Sequence, residues 1–162
     1  MADTKFNRIL DEIWDRSLSA GGFAARPGGG YRPDATSWAI LALRMCGIDS
    51  QRLRAAMHRL GESQMKDGRL ALSPEHPDVY WPTPLAIIAW HRNPEFNRCL
   101  SRAVSFLLIT SGTHFRRDPE SPGGHDTSIR GWGWTEGTHS WVEPTSLSMI
   151  ALRLAGYGDH NR

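Results

Sequence analysis

Three stretches of helically spaced apolar residues punctuate the chain, and each leads through a loop into a more thoroughly apolar run. Phe6, Ile9, Leu10, Ile13, Trp14 and Leu18 fall on one face of a helix predicted from about Thr4 to Ser19, with Asp11, Glu12, Asp15 and Arg16 opposite. Gly21-Gly22 stops it, and a glycine-rich loop runs to Arg32. Pro33-Asp34-Ala35-Thr36-Ser37 reads as a helix start, because proline suits the first turn and Asp or Thr oxygens can accept free backbone N–H groups there. The run Trp38 to Cys46 is apolar nearly all round, which predicts a helix buried on most sides and ended by Gly47.

The second round predicts an amphipathic helix over about Ser50 to Gln64, with Leu53, Ala56, Met57 and Leu60 on its apolar side. Lys66-Asp67-Gly68 is its turn, a proline-rich loop runs from Ser73 to Trp81, and Pro82-Thr83-Pro84 opens the apolar helix Leu85 to Trp90. The third begins near Asn97, with Leu100, Ala103, Val104, Leu107 and Leu108 on one face. A polar loop of about 18 residues, 112–130, follows; it carries Arg116, Arg117, Asp118 and Glu120 and is broken by Pro119, Pro122 and Gly123-Gly124. Loops this long are usually functional or mobile. Trp132, Trp134 and Trp141 then fall within ten residues, and Glu143-Pro144-Thr145 starts a last apolar helix to Leu154, with a polar tail over 158–162.

The apolar helices share one pattern. Thr36-Ser-Trp-Ala-Ile-Leu-Ala-Leu, Thr83-Pro-Leu-Ala-Ile-Ile-Ala-Trp and Thr145-Ser-Leu-Ser-Met-Ile-Ala-Leu align, with 47 residues from the first threonine to the second and 62 from the second to the third. The excess of 15 is what the long third loop adds. One domain over 1–162 therefore holds three helical hairpins, at about 4–47, 50–91 and 97–157. Hairpins of this kind bury their faces by stacking on neighbours, and an amphipathic helix alternating with an apolar one suggests two layers.

Composition narrows the function classes. At 162 residues, with 40% hydrophobic and 22% charged residues, the chain has the make-up of a globular domain. A net charge of +2, from scattered basic residues, gives no case for nucleic acid. Cys46 and Cys99 sit in apolar contexts and read as two reduced core thiols, the pattern of a cytoplasmic protein. The charged start Met1-Ala-Asp-Thr-Lys-Phe6 is no signal peptide, and no apolar run reaches the roughly 18 residues of a membrane span.

These repeats resemble those of the squalene–hopene cyclase and protein prenyltransferase β-subunit superfamily, over about residues 4 to 157. The family signature Gln-x-x-x-Gly-x-Trp stands here as Gln64-Met-Lys-Asp-Gly68-Arg-Leu70, with leucine for tryptophan; Gly21-Gly22-Phe23 and Gly131-Trp132 are its degenerate counterparts. Gly131-Trp-Gly-Trp followed by Ser140-Trp-Val-Glu-Pro-Thr145 is particularly similar to the bacterial prenyltransferase/squalene-oxidase repeat proteins. The resemblance implies an (α/α) toroid, in which inner helices line a cavity. Complete toroids use about six hairpins and this chain supplies three, so the implied shape is about half a toroid with apolar flanks. Such flanks imply self-association or a partner protein that completes the ring.

The family's two chemistries are only partly represented. Class II terpene cyclases protonate an alkene through an Asp-x-Asp-Asp motif that opens an inner helix. At that place Asp34 matches the central aspartate and Thr36 the residue after the motif, while Arg32 and Ala35 replace the flanking acids. A neighbouring arginine favours the ionised carboxylate, the opposite of what an acid of this type needs. Asp34 is thus a candidate catalytic residue by resemblance and a helix N-cap by position. The prenyltransferase zinc set needs an Asp-x-Cys pair, absent here, and the histidines at 58, 76, 91, 114, 125, 139 and 160 show no ligand spacing, so no metal and no cofactor is expected.

Trp38, Tyr80, Trp81, Trp132, Trp134 and Trp141 lie at or just before the apolar-helix starts, where they either brace loops or ring one end of a cavity. Aromatic faces there would suit an isoprenoid-like ligand and stabilise positive charge. Glu143 is a helix-start acid or, with His139, a polar group at the cavity mouth. The expectation is a non-catalytic or partner-dependent half-toroid that binds a partner chain and an apolar isoprenoid-like ligand. The alternative is an enzyme of isoprenoid metabolism, cyclase-like or prenyltransferase-like, completed by dimerisation or a second subunit.

Overall fold

The computed structural model describes residues 4–117, 120 and 126–159. Six α-helices carry it: α1 Thr4–Trp14, α2 Pro33–Met45, α3 Gln51–Glu62, α4 Pro82–Trp90, α5 Asn97–Ile109 and α6 Val142–Leu154, with a 3-10 turn Pro94–Phe96 leading into α5. Local chemistry accounts for their starts. Ser50 caps α3, its Oγ accepting from Leu53 N at 3.2 Å, and prolines stand in the first turns of α2 and α4. The described residues contain no strand beyond isolated bridges such as Ser17 with Phe23 and Thr113 with His139. No helix among them is long and apolar enough to cross a membrane.

The core is built around α4. It packs against α2, α5 and α6, and of its nine residues all but Ile88 are buried. An all-apolar helix has no face to offer water, so it takes the centre and leaves the edges to the amphipathic helices. α3 lies against α2 and touches α4, while α5 lies against α4. Leu43, Leu60, Leu85, Ile87, Trp90 and Leu107 have no exposed surface.

Each loop is fastened to its own apolar helix by one threonine. Thr36 Oγ1 accepts from Phe23 N at 2.9 Å and donates to Phe23 O at 3.3 Å. Thr83 treats Leu70 in the same way, at 2.9 and 3.4 Å, and Thr145 treats Trp132 so, at 3.0 and 3.3 Å. In all three the partners are 13 residues apart. A hydroxyl that both accepts and donates satisfies a whole backbone peptide site away from water. The three units are thus repeats in atomic detail, and Phe23, Leu70 and Trp132 hold one equivalent position.

Neighbouring units are joined just as regularly. Gln64 Nε2 donates to Gly68 O, within its own turn, and to Cys99 O on α5, both at 2.9 Å. One repeat earlier, Ser17 Oγ accepts from Arg52 of α3, again across 35 residues. Gly21 and Gly68, with φ of +87° and +99°, bring the loop backbone against Ala55 O and Arg102 O of the next amphipathic helix. The glutamine and glycine of the signature are therefore interhelical fasteners.

Thr83→Val keeps the side chain's shape but removes both staple bonds from a buried site. Leaving buried amide groups unpaired costs about 2 kcal/mol, and Thr145→Val, at a part-buried site, should cost about half that. Urea midpoints check the order; equal losses would mean that burial does not set the staple's strength.

Several expectations need correction. The first helix ends at Trp14 rather than near Ser19, because the chain turns so that Ala24 N reaches Arg16 O and Leu18 N reaches Gly22 O, folding the loop back on itself. Asp34 does not cap α2; Arg32 holds the cap position with no side-chain cap bond, and Asp34 lies in the first turn. Cys46 is exposed and Cys99 half-buried, so neither is a fully buried core thiol. α2 is less enclosed than its apolar run suggests, with Trp38 half exposed and Met45 almost wholly so. The expected features at Met1 to Asp3, Asp118, Pro119, Pro122, Gly123, Gly124, His125 and 160–162 lie outside the described residues.

Candidate functional site

Asp34 enters through the first turn of α2 and is immediately neutralised. Arg32 Nε donates to Oδ1 and Arg32 Nη2 to Oδ2, both at 2.9 Å, a two-pronged ion pair with little of the carboxylate exposed. Asp34 borders a pocket of about 360 Å³ whose other walls include Ile13, Arg16, Phe23, Ala35 and Trp38. Asp34 and Trp38 therefore line one pocket. Chemically the pocket offers an apolar floor and an aromatic face, with both acid oxygens already engaged by a cation.

The other aromatic residues assemble around the second and third loops. Tyr80 is buried; its hydroxyl accepts from Gly133 N at 3.2 Å and its ring meets Phe106 edge-on at 5.4 Å. Trp81 and Trp134 form an edge-on pair at 5.4 Å. Trp132 is buried, with its indole N–H donating to Leu107 O at 3.1 Å, so it braces the loop against α5. His139 and Trp141 lie ring to ring at 4.7 Å. Glu143 sits exposed in the first turn of α6. Asp78 ties the two loops together, its carbonyl accepting from Glu136 N and Thr135 Oγ1, both at 3.0 Å. The set is thus a braced double loop holding Tyr80, Trp81, Trp132 and Trp134, separate from the Asp34–Trp38 pocket.

At the first junction Tyr31 is displaced from its ordinary range. Burial pushes the Tyr31 phenol upward, against the opposing effects of its contact with Ser63, 3.0 Å away, and of the Arg59 charge. Among the described residues no three His, Cys, Asp or Glu side chains gather where they could hold a metal ion.

A third feature was not among the candidates. A groove of about 880 Å³ opens between the end of α5, the third loop and α6, walled by Leu108, Trp132, Met149, Ile150 and Tyr157, with Arg130 and Arg153 at its rim. Within α6, Met149 and Ile150 are largely exposed although both are strongly apolar. The signal was present in the repeat: Met149 aligns with Ile40 and Ile87, both buried completely, so its position belongs to a covered face. Comparison of the chain with protein-family models and with curated proteins finds no match.

Proposed function

We propose that this chain is a partner-dependent half-toroid of the cyclase and prenyltransferase kind, without alkene-protonating activity of its own. On this reading a partner chain covers its apolar end, and the aromatic surfaces of the loops contribute to a space that takes an isoprenoid-like ligand. The observation that carries the reading is the Arg32–Asp34 pair, which engages both oxygens of the acid at the cyclase-like position. An alkene-protonating acid must aim a free O–H at its substrate, and here both carboxylate oxygens already face the Arg32 guanidinium. The apolar residues that α6 leaves at the surface support the partner. The threonine staples and the Gln64 fastener support the family resemblance, since they give its repeat signature a structural duty.

The second reading, an enzyme completed by dimerisation or another subunit, draws on the pocket shared by Asp34 and Trp38. Incubation with squalene and polyprenyl diphosphates separates the two. The expected result is no product, together with a rise in Tm when an apolar isoprenoid saturates the protein. A ligand at 100 times its Kd stabilises by about 2.7 kcal/mol, a shift of several degrees for a domain of this size. Product formation abolished by Asp34→Asn would overturn the non-catalytic reading; a Tm unmoved by any isoprenoid would remove the ligand from it.

A further inference from the structure

The internal repeat identifies what the open groove is shaped to hold. At the first junction, Ser17, Gly21, Gly22 and Phe23 face Arg52 and Ala55 of α3, and the gap left there is about 350 Å³. The equivalents of Gly21, Gly22 and Phe23, by the 47- and 62-residue offsets, are Arg130, Gly131 and Trp132; that of Ser17, which precedes the lengthened part of the third loop, is Ser111 by the offset of 47 applied twice, and all four line the groove at α6. No described helix lies over them, and the groove is more than twice as large. What fits there is an amphipathic helix in the register of α3 and α5.

The opposite end of the chain carries such a helix, α1, whose Leu10 and Ile13 pack against the chain's own core while Phe6 and Ile9 are left uncovered. By the same offset of 47, Phe6, Ile9, Leu10 and Ile13 of α1 match Leu53, Ala56, Met57 and Leu60 of α3. Leu53 and Ala56 are 3% and 0% exposed, whereas Phe6 and Ile9 are 45% and 48% exposed. The far end shows the same inversion: Met149 is 61% exposed, while its equivalents Ile40 and Ile87 are 0%. Each end of the array exposes one half of the contact that the interior buries.

We infer that α1 of a second copy of this chain occupies the groove, so that copies join head to tail; this rests on the partner-dependent reading and names its partner. Charge agrees with the register. At the first junction Gly21 faces Ala55 O and the Cβ of Arg59. The groove has Arg130 in the glycine position, and α1 has Glu12 in the position of Arg59, so the two changes together bring an arginine opposite a glutamate. Lys5 takes the position of Arg52, which donates to Ser17, and would face Ser111. Arg130 is bulkier than the glycine it replaces, so α1 seats less deeply than α3 does, with Glu12 meeting the guanidinium. Different surfaces of the two copies meet, and two three-hairpin copies close into a pair when each α1 enters the other's groove.

Light scattering on the full chain tests this. The expected species has twice the 18.1 kDa chain mass. Ile9→Glu, on α1, and Met149→Glu, in the groove, each change an exposed residue and should each give monomers of unchanged helical circular dichroism. Mixing the two variants should restore a one-to-one pair, because the first keeps an intact groove and the second an intact α1. Glu12→Arg should weaken association about tenfold, and adding Arg130→Glu should recover most of it. A wild-type chain that stays monomeric would overturn the second copy as occupant. An assembly that survives both single variants, or variants that do not pair on mixing, would overturn the α1-in-groove contact. Neither outcome touches the Asp34 result that decides the non-catalytic reading.

Discussion

Gly68→Ala should be among the most damaging single changes to this protein, at about 4 kcal/mol. An alanine Cβ at Gly68 would lie 2.2 Å from the Arg102 carbonyl oxygen and 2.7 Å from its carbon, in a backbone conformation with φ of +99°. The left-handed conformation costs an L-residue about 1–2 kcal/mol, and forcing packed backbones apart adds roughly 1–3 more. The obstacle is main chain, which cannot rotate away, and it belongs to the helix that joins the second unit to the third. Gly28 is the control: its φ is +71° but nothing lies within 4 Å of an added Cβ. Gly28→Ala should therefore lose only the conformational part, about 1 kcal/mol. Equal losses for the two variants in urea melts would show that close approach at Gly68 does not matter.

Trp90→Ala should rank beside it. Trp90 closes α4 at the centre of the fold, is completely buried, and stacks almost parallel on Phe96 at 6.3 Å. Truncating a buried tryptophan costs about 3–5 kcal/mol, the lost apolar contact plus the cavity left behind. For a domain of this length that corresponds to a drop of about 10 °C in Tm or more. Trp90→Phe should recover most of it, since the ring keeps its stack and loses only volume and the long contact of its indole N–H with Met57 O at 3.5 Å. A calorimetric Tm within a degree or two of wild type for Trp90→Ala would place the core elsewhere than at α4.

Much of this architecture was legible because the apolar pattern changes character from helix to helix. The run Leu85 to Trp90 has no polar face, and a helix without a polar face must be central. The amphipathic pattern of Leu53, Ala56, Met57 and Leu60 likewise coincides with the buried face of α3. The end of α1 was not legible, because Leu18 continues the helical spacing while the backbone is diverted by contacts with Gly22 and Ala24, a tertiary effect that spacing does not report. Asp34 was misplaced as a cap for a related reason: Asp and Ser caps look alike in sequence, and only geometry shows that Arg32 draws the carboxylate sideways.

The aromatic residues taught a different lesson. Their proximity to helix starts was plain, yet that position does not say whether a ring faces a cavity or a neighbouring loop. Tyr80 turned inward as a brace, Trp132 braces the loop while also walling the groove at α6, and Trp38 reached a separate pocket. The groove at α6 was missed because Met149 and Ile150 read simply as core until compared with the buried residues of the other two repeats.

The threonine clamp separates the length of a loop from the placement of the helix that follows it. Its two partners stay 13 residues apart in every unit, although the third loop has taken up 15 extra residues between Ser111 and Arg130. Any insertion upstream of the clamped residue leaves the next helix where it was. Evolution can therefore lengthen, recompose or trim that segment as freely as a linker, while the helices on either side keep their mutual positions.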